Sequence, residues 1–160
     1  MRLIHGSLLF LSLVLIPHTV AAQRNWDYRY FQKSMQHSNL SHRDLRIFWF
    51  QLTDLYGANL EESNFSGTSF VDADLSHANL RSAILSKTCL NYARVRRANL
   101  EDADLRYANL LYTDFKGADL RGANLRNAEV DATNFTGAIY DNRTKWPRGF
   151  RIATSGAIKK

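Results

Sequence analysis

From Thr53 to Gly137 every fifth residue is large and apolar, and the series never slips. The centres run from Leu55, Leu60, Phe65 and Phe70 to Leu125, Val130 and Phe135, 17 in succession. Two residues before each centre stands a small side chain, Ala at eleven positions and Thr or Ser at the other six. The residue between is usually Asn or Asp, and the two after the centre are variable and mostly polar. A period of five fits neither an amphipathic helix nor a half-buried strand. On a helix each five-residue step would turn the centres by about 140°, leaving no apolar stripe, however favourable Ala and Leu are as helix formers. The pattern that keeps all centres together is a solenoid with one short face per five residues.

The units Ala58-Asn59-Leu60, Ala103-Asp104-Leu105 and Ala118-Asp119-Leu120 read A(D/N)LXX. In this the chain resembles the pentapeptide-repeat family, strictly over about half its length and more loosely from Ser38 to Tyr140. The resemblance implies an all-β solenoid, a right-handed quadrilateral β-helix with four pentapeptides to a coil. It also implies that the centre and the small residue two before it point inward, the other three outward. Leu60, Leu80, Leu100, Leu105, Leu110, Phe115, Leu120 and Leu125 are then core. Glu101, Arg106 and Leu111 are expected to be exposed. A little over four coils would stack to about 20 Å.

The ends read differently. Residues 1–22 have the plan of a cleaved export signal: Arg2, an apolar run from Leu8 to Ile16, Pro17, then Val20-Ala21-Ala22 before Gln23. The apolar run is too short for the roughly 20 residues a membrane span needs. No Cys marks lipid attachment at the cleavage point. Residues 23–52 are expected to be an N-terminal cap, with a short helix over 27–36, merging into an irregular first coil. There Arg43 and Phe48 fall in the small inward slot, and a buried Arg43 would cost several kcal/mol unless paired. The repeat proper spans 53–140, and 141–160 form a C-terminal cap. In it Pro147 stops strand pairing while Trp146 and Phe150 cover the open core. The last ten residues are expected to fray.

Charge divides along the same lines. Residues 53–137 hold 9 basic and 12 acidic groups, a net of −3. Residues 23–52 hold 5 and 2, a net of +3, and residues 138–160 hold 6 and 1, a net of +5. Loss of Arg2 with the signal takes the chain from +6 to +5. The excess cations at the ends read first as solvated tails, and next as contacts for an acidic partner or an anionic surface.

No catalytic, cofactor or metal constellation stands out. His37, His42 and His77 lack metal-ligand spacing, and the glycines form no phosphate loop. Cys89 is the lone cysteine and takes a repeat position. Asp72 with Asp74, and Asp102 with Asp104, are pairs the repeat itself generates, and an acid before the centre bonds corner backbone. Asn39, Asn64, Asn134 and Asn142 lie in glycosylation sequons that chance explains. Stacking residues twenty apart aligns Glu61, Arg81, Glu101 and Arg121 into a ladder of alternating charge. It also aligns Tyr92 with Leu111 and Tyr112, and Arg96 and Arg97 with Lys116, with Arg94 on the preceding repeat. Arg94, Arg96, Arg97, Lys116, Tyr92 and Tyr112 are the candidate interaction surface.

The expected function is that of a non-enzymatic interaction or scaffold rod outside the cytoplasm, in periplasm, thylakoid lumen or the extracellular space. Its partner is expected to be a protein rather than nucleic acid, with no stable membrane span after cleavage. A dimer could form through an end cap. The alternative is a DNA-mimicking topoisomerase inhibitor of the quinolone-resistance type, a task for a strongly acidic cytoplasmic rod.

Overall fold

The computed structural model describes residues 34–160, which lie within one compact unit. Its organising contact is a parallel pairing at a constant offset of 20 residues. Asn39 pairs with Asn59, Asn59 with Asn79, Asn79 with Asn99, Asn99 with Asp119 and Asp119 with Ile139. Three more ladders at the same offset start from Ser34, Asp44 and Ser69. Four ladders in twenty residues make a coil of four faces, each built by one five-residue unit. Each unit spends its backbone between coils: Leu100 N–H donates to Asp119 C=O (2.8 Å), Asp119 N–H to Ala98 C=O (2.9 Å) and Asp102 N–H to Arg121 C=O (2.9 Å).

The corners explain the remaining sequence preferences. After Leu100 the chain turns through Glu101 and Asp102, closed by Ala103 N–H donating to Leu100 C=O (3.0 Å). The second corner residue has positive φ, as the third residue of a type II turn requires. Glycine meets this freely at Gly57 and Gly117. Fifteen non-glycine residues adopt it too, between φ 52° at Arg97 and φ 62° at Tyr92. The Asn or Asp before the centre stabilises the bend: its side chain accepts from the N–H two residues on, as Asn99 does from Glu101 (3.0 Å) and Asp114 from Lys116 (3.0 Å).

Inside, Leu60, Leu80, Leu100, Leu105, Leu110, Phe115, Leu120 and Leu125 are fully buried. The small slots are buried beside them, Ala103 included, except for the half-buried Thr133 in the last coil. Where Ser or Thr fills the slot, its hydroxyl can reach a carbonyl: Ser63 donates to Leu40 (2.6 Å), Thr88 to Leu85 (2.7 Å) and Thr113 to Leu90 (2.7 Å), whereas the buried Thr68 hydroxyl has no partner among the described residues. Val130 departs from the series and is half-buried, because its coil lies at the end of the stack. Arg106 is exposed, but Glu101 and Leu111 are half-buried, Glu101 lying between Arg81 and Arg143.

Regular pairing begins earlier than residue 53. Ser34, Asn39 and Asp44 already pair one coil on, and Leu40, Leu45 and Phe50 are buried. The helix expected over 27–36 reaches the described residues only at its last three, and these are coil backbone. Ser34 is bridged to Asp54, and Met35 N–H donates to Asp54 C=O (2.7 Å). Residues 27–33 and the signal over 1–22 lie outside the described residues. Arg43 is not buried: its side chain is exposed while its N–H donates to Ser63 Oγ (3.1 Å). Phe48, too large for the slot, stays half-buried, and Trp49 forms no bridge to Ser69.

At the far end β1 (Ile139–Tyr140) pairs in parallel with β2 (Ile158–Lys159). The last ten residues are therefore held, not frayed: a 3-10 turn at Ile152–Thr154 leads into β2, where Ile158 N–H donates to Ala138 C=O (2.7 Å). Gly156 at φ 77° permits the return. Beneath, Trp146 stacks on Phe150 (4.9 Å) and both meet Phe135 edge-on. Among the described residues no helix is long and apolar enough to cross a membrane.

Candidate functional site

One face is built on the centres Leu55, Leu75, Val95, Phe115 and Phe135, and its outward row reads Asp54, Asp74, Arg94, Asp114, Asn134. The chain enters this face through a corner carrying Tyr92 and, one coil on, Tyr112. It leaves through a corner carrying Arg96 and Arg97 and, one coil on, Lys116 and Gly117. The six candidate residues therefore share one face and its two flanking corners, a juxtaposition that stacking by twenty alone does not give. The tyrosine rings lie parallel, 5.1 Å apart, and both remain exposed.

The cations are not equivalent. Arg94 reaches down to Asp74 (3.5 Å). Arg96 Nε donates up to Asp114, whose other oxygen accepts from Lys116 N–H (3.0 Å) and Asn134 Nδ2 (3.0 Å). Burial pulls the Asp74 carboxyl up, but hydrogen bonds from Ser76 and the charge of Arg94 outweigh it and hold it below the usual range. Arg97 and Lys116 have no ion-pair partner among the described residues. They line an open groove of about 660 Å³ that runs along the corner from Tyr56 past Ser76 and His77 to Thr136 and Gly137. Sequence alone does not single out Tyr56, and it brings up His77 only as a metal ligand to be set aside. They lie 21 residues apart, one off the stacking register, with ring centroids 5.1 Å apart.

On the next face the charge ladder is real but shorter than expected. Arg81 contacts Glu61 (3.1 Å) and stands 4.0 Å from Glu101. Arg121 does not complete it. Its guanidinium turns back to Asp119 two residues earlier (2.6 Å), a shorter reach than the next coil. Arg143 takes its place, meeting Glu101 (3.6 Å), Asp102 (2.7 Å) and Asp141 (2.9 Å).

The other candidates for chemistry are engaged structurally. Asp104 accepts both the backbone N–H (3.1 Å) and the guanidinium of Arg106, and Asp102 is held by Arg143. The half-buried Cys89 thiol donates to Asn91 Oδ1 (3.1 Å), and His42 meets Glu62 (3.0 Å). No cluster of three His, Cys, Asp or Glu side chains suited to a metal occurs among the described residues.

A family model for pentapeptide repeats matches residues 53–91 and 98–137, in eight copies. Among solved structures, the pentapeptide repeat protein Rfr23 from the cyanobacterium Cyanothece 51142 is 28% identical, with a TM-score of 0.60; the match covers 71% of this chain and 87% of that one. The pentapeptide repeat protein alr5209 from Nostoc PCC 7120 is 37% identical over 70% of this chain and 84% of that one, with a TM-score of 0.37. QnrB1, a plasmid-mediated fluoroquinolone resistance protein, is 15% identical over 82% of this chain and 86% of that one, with a TM-score of 0.41. No curated protein matches the chain. The unbroken five-residue series, the four-faced coil it folds into, the family model and the likeness to Rfr23 agree: the chain belongs to the pentapeptide repeat family, whose members form right-handed quadrilateral β-helices.

Proposed function

We propose that this protein is an exported, non-enzymatic rod that holds a protein partner through the face bearing Arg94. The observation that carries the reading is the uneven use of charge. Asp74 and Asp114 satisfy Arg94 and Arg96, while Arg97 and Lys116 stand beside an open groove with no ion pair among the described residues. Exposed Tyr92 and Tyr112 flank the same face, and stacked aromatics beside arginines are what protein interfaces enrich. Export rests on the signal-like residues 1–22, and Trp146 and Phe150 against Phe135 serve as the C-terminal cap. DNA mimicry would need a rod dominated by acids, whereas residues 53–137 hold 9 basic against 12 acidic groups.

Three measurements test this. N-terminal sequencing of protein isolated from its natural compartment should start at Gln23; an intact Met1 on a cytoplasmic protein would refute export. A photo-reactive phenylalanine at Tyr112 should capture one protein partner that the same probe at Arg126, on another corner, does not. In a supercoiling assay the purified protein should leave a type II topoisomerase unaffected.

A further inference from the structure

We infer that the corner groove beside Arg97 and Lys116 binds an extended acidic peptide of about six residues, laid along the axis of the coil. This rests on the reading of the Arg94 face as a protein-binding surface and names the chemistry it takes. The groove passes five successive first-corner positions, from Tyr56 to Thr136. Four coil steps at roughly 4.8 Å give about 19 Å, the span of some six extended residues at about 3.4 Å each. Beyond Arg97 the second-corner positions are Gly117 and Gly137, which add no side chain of their own to the upper half of the channel beside Arg97, Lys116 and Thr136.

Charge settles what can lie there. The acids at and beside the groove are already engaged: Asp74, in its wall, by Arg94 and the Ser76 N–H (2.9 Å), and Asp114, on the adjoining face, by Arg96, Lys116 N–H and Asn134. They neither compete for Arg97 and Lys116 nor leave strong acceptors for a basic ligand. The backbone is occupied as well: Arg97 N–H donates to Lys116 C=O (3.0 Å) and Gly117 N–H to Thr136 C=O (3.0 Å). A peptide is therefore not added as a strand but held by its carboxylates on two cations, with the mutually tilted rings of Tyr56 and His77 at one end. An anionic bilayer suits the face less well, because a plane laid across it meets Asp54, Asp74 and Asp114 together with the cations. A single strand sunk in the corner meets only Asp74 of these, and Asp74 is already held by Arg94 and the Ser76 N–H (2.9 Å).

The test is fluorescence anisotropy of labelled hexaglutamate, with labelled hexaserine beside it, against the purified protein at low ionic strength. Hexaglutamate should bind, hexaserine should not, and added salt should weaken the complex. Reversing Arg97→Glu with Lys116→Glu should lower affinity at least about tenfold. Lys159→Glu with Lys160→Glu, an equal change of net charge in the tail, should alter it less than about twofold. Thermal melts establish that each variant folds; if the groove reversal does not, Arg97→Gln with Lys116→Gln should give the same direction of change. Absence of hexaglutamate binding, or equal loss in groove and tail variants, would overturn the inference. So would anionic vesicles that bind through Arg97 and Lys116 while hexaglutamate fails to displace them. If the probe at Tyr112 captures its partner and hexaglutamate does not compete, the groove inference falls while the interaction reading stands.

Discussion

Two neighbouring faces of one coil use their charges in opposite ways. Along the face of Leu60, Leu80, Leu100 and Leu120, Glu61, Arg81, Glu101 and Arg143 are joined by contacts of 3.1 to 4.0 Å, and Arg121 is closed on Asp119. Along the face of Val95 and Phe115 the charges pair only in part, leaving Arg97 and Lys116 at an open groove. The backbone beneath is the same on both, with the same bridges, corners and buried centres. What differs is confined to the three outward residues of each unit. The fold thus leaves surface chemistry free to vary face by face, and a face whose charges are not consumed internally is where to look for a partner.

If core and surface are independent in this way, the largest effects should come from the core and be blind to the face above. Leu105→Ala removes a side chain with no exposure and should cost about 2–5 kcal/mol in a denaturant melt. Ala103→Leu should also be damaging, by overpacking a buried slot. Combining Leu105→Ala with the reversal of Arg97 and Lys116 should give additive losses. Strong coupling would mean that the groove cations support the core after all.

The corners discriminate more finely. Gly122, at φ 70° on the ladder side, leaves no room: an added Cβ would fall 1.9 Å from Asp102 Oδ1 and 3.0 Å from Arg143 Nη1. Gly117, at φ 69° on the groove side, would bring its Cβ to ordinary contact, 3.4 Å from Arg97 Cγ. Both Gly→Ala changes incur the left-handed strain of about 1 kcal/mol. Gly122→Ala should cost roughly 1–2 kcal/mol more, because it displaces the Asp102–Arg143 contact as well. Equal melting points for the two variants would show that this contact contributes nothing.

The ladder comes next in size. Glu101→Arg sets a third cation between Arg81 and Arg143 and should lower stability by roughly 1 kcal/mol, more at low salt. Adding Arg81→Glu should recover part of that, whereas adding Arg121→Glu should recover little, since Arg121 belongs to Asp119. A cycle with equal coupling through Arg121 would restore the four-member ladder that stacking by twenty suggests.

That misassignment marks where the sequence stops being readable. The period and its apolar centres follow from spacing, and the inward slots from the resemblance to the repeat family, because each repeats many times and any slip would expose a centre. Side-chain partners do not. Arg121 had two acids within reach, one in its own corner and one in the next coil, and only the closure of the corner decides between them. Arg143 reaches Asp102 from 41 residues away, outside the repeat register. The positive φ of residues such as Lys87 and Tyr107 is invisible too, since neither is a type that favours it. Arg43 looked inadmissible in a small slot because the slot was taken as closed, yet in the first described coil it opens outward. Pairing of Ile158 and Lys159 could not be foreseen, because the register breaks: Asn124 pairs 21 residues on and Ile139 pairs 19.

The smallest predicted effect is one of pH, and it should appear on both faces. Asp74, Asp104, Asp119 and Asp141 all have carboxyls held below the ordinary value. For Asp141 burial raises it, but the Gly122 N–H, the Arg143 guanidinium and the Thr144 hydroxyl bind the ionised form and win. An unfolded Asp titrates near pH 3.9. A group whose folded value lies below that contributes its stability in full above about pH 4 and loses it as pH falls through the folded value. The protein should therefore melt at nearly constant temperature from neutrality down to about pH 5, then progressively lower. Asp141→Asn should melt below the wild type at neutral pH and converge on it in acid, because the variant has no such carboxylate to protonate. Asp74→Asn should behave in the same way on the groove side. Two parallel curves that never converge would mean that these aspartates act through their hydrogen-bonding shape alone and that their charge stabilises neither face.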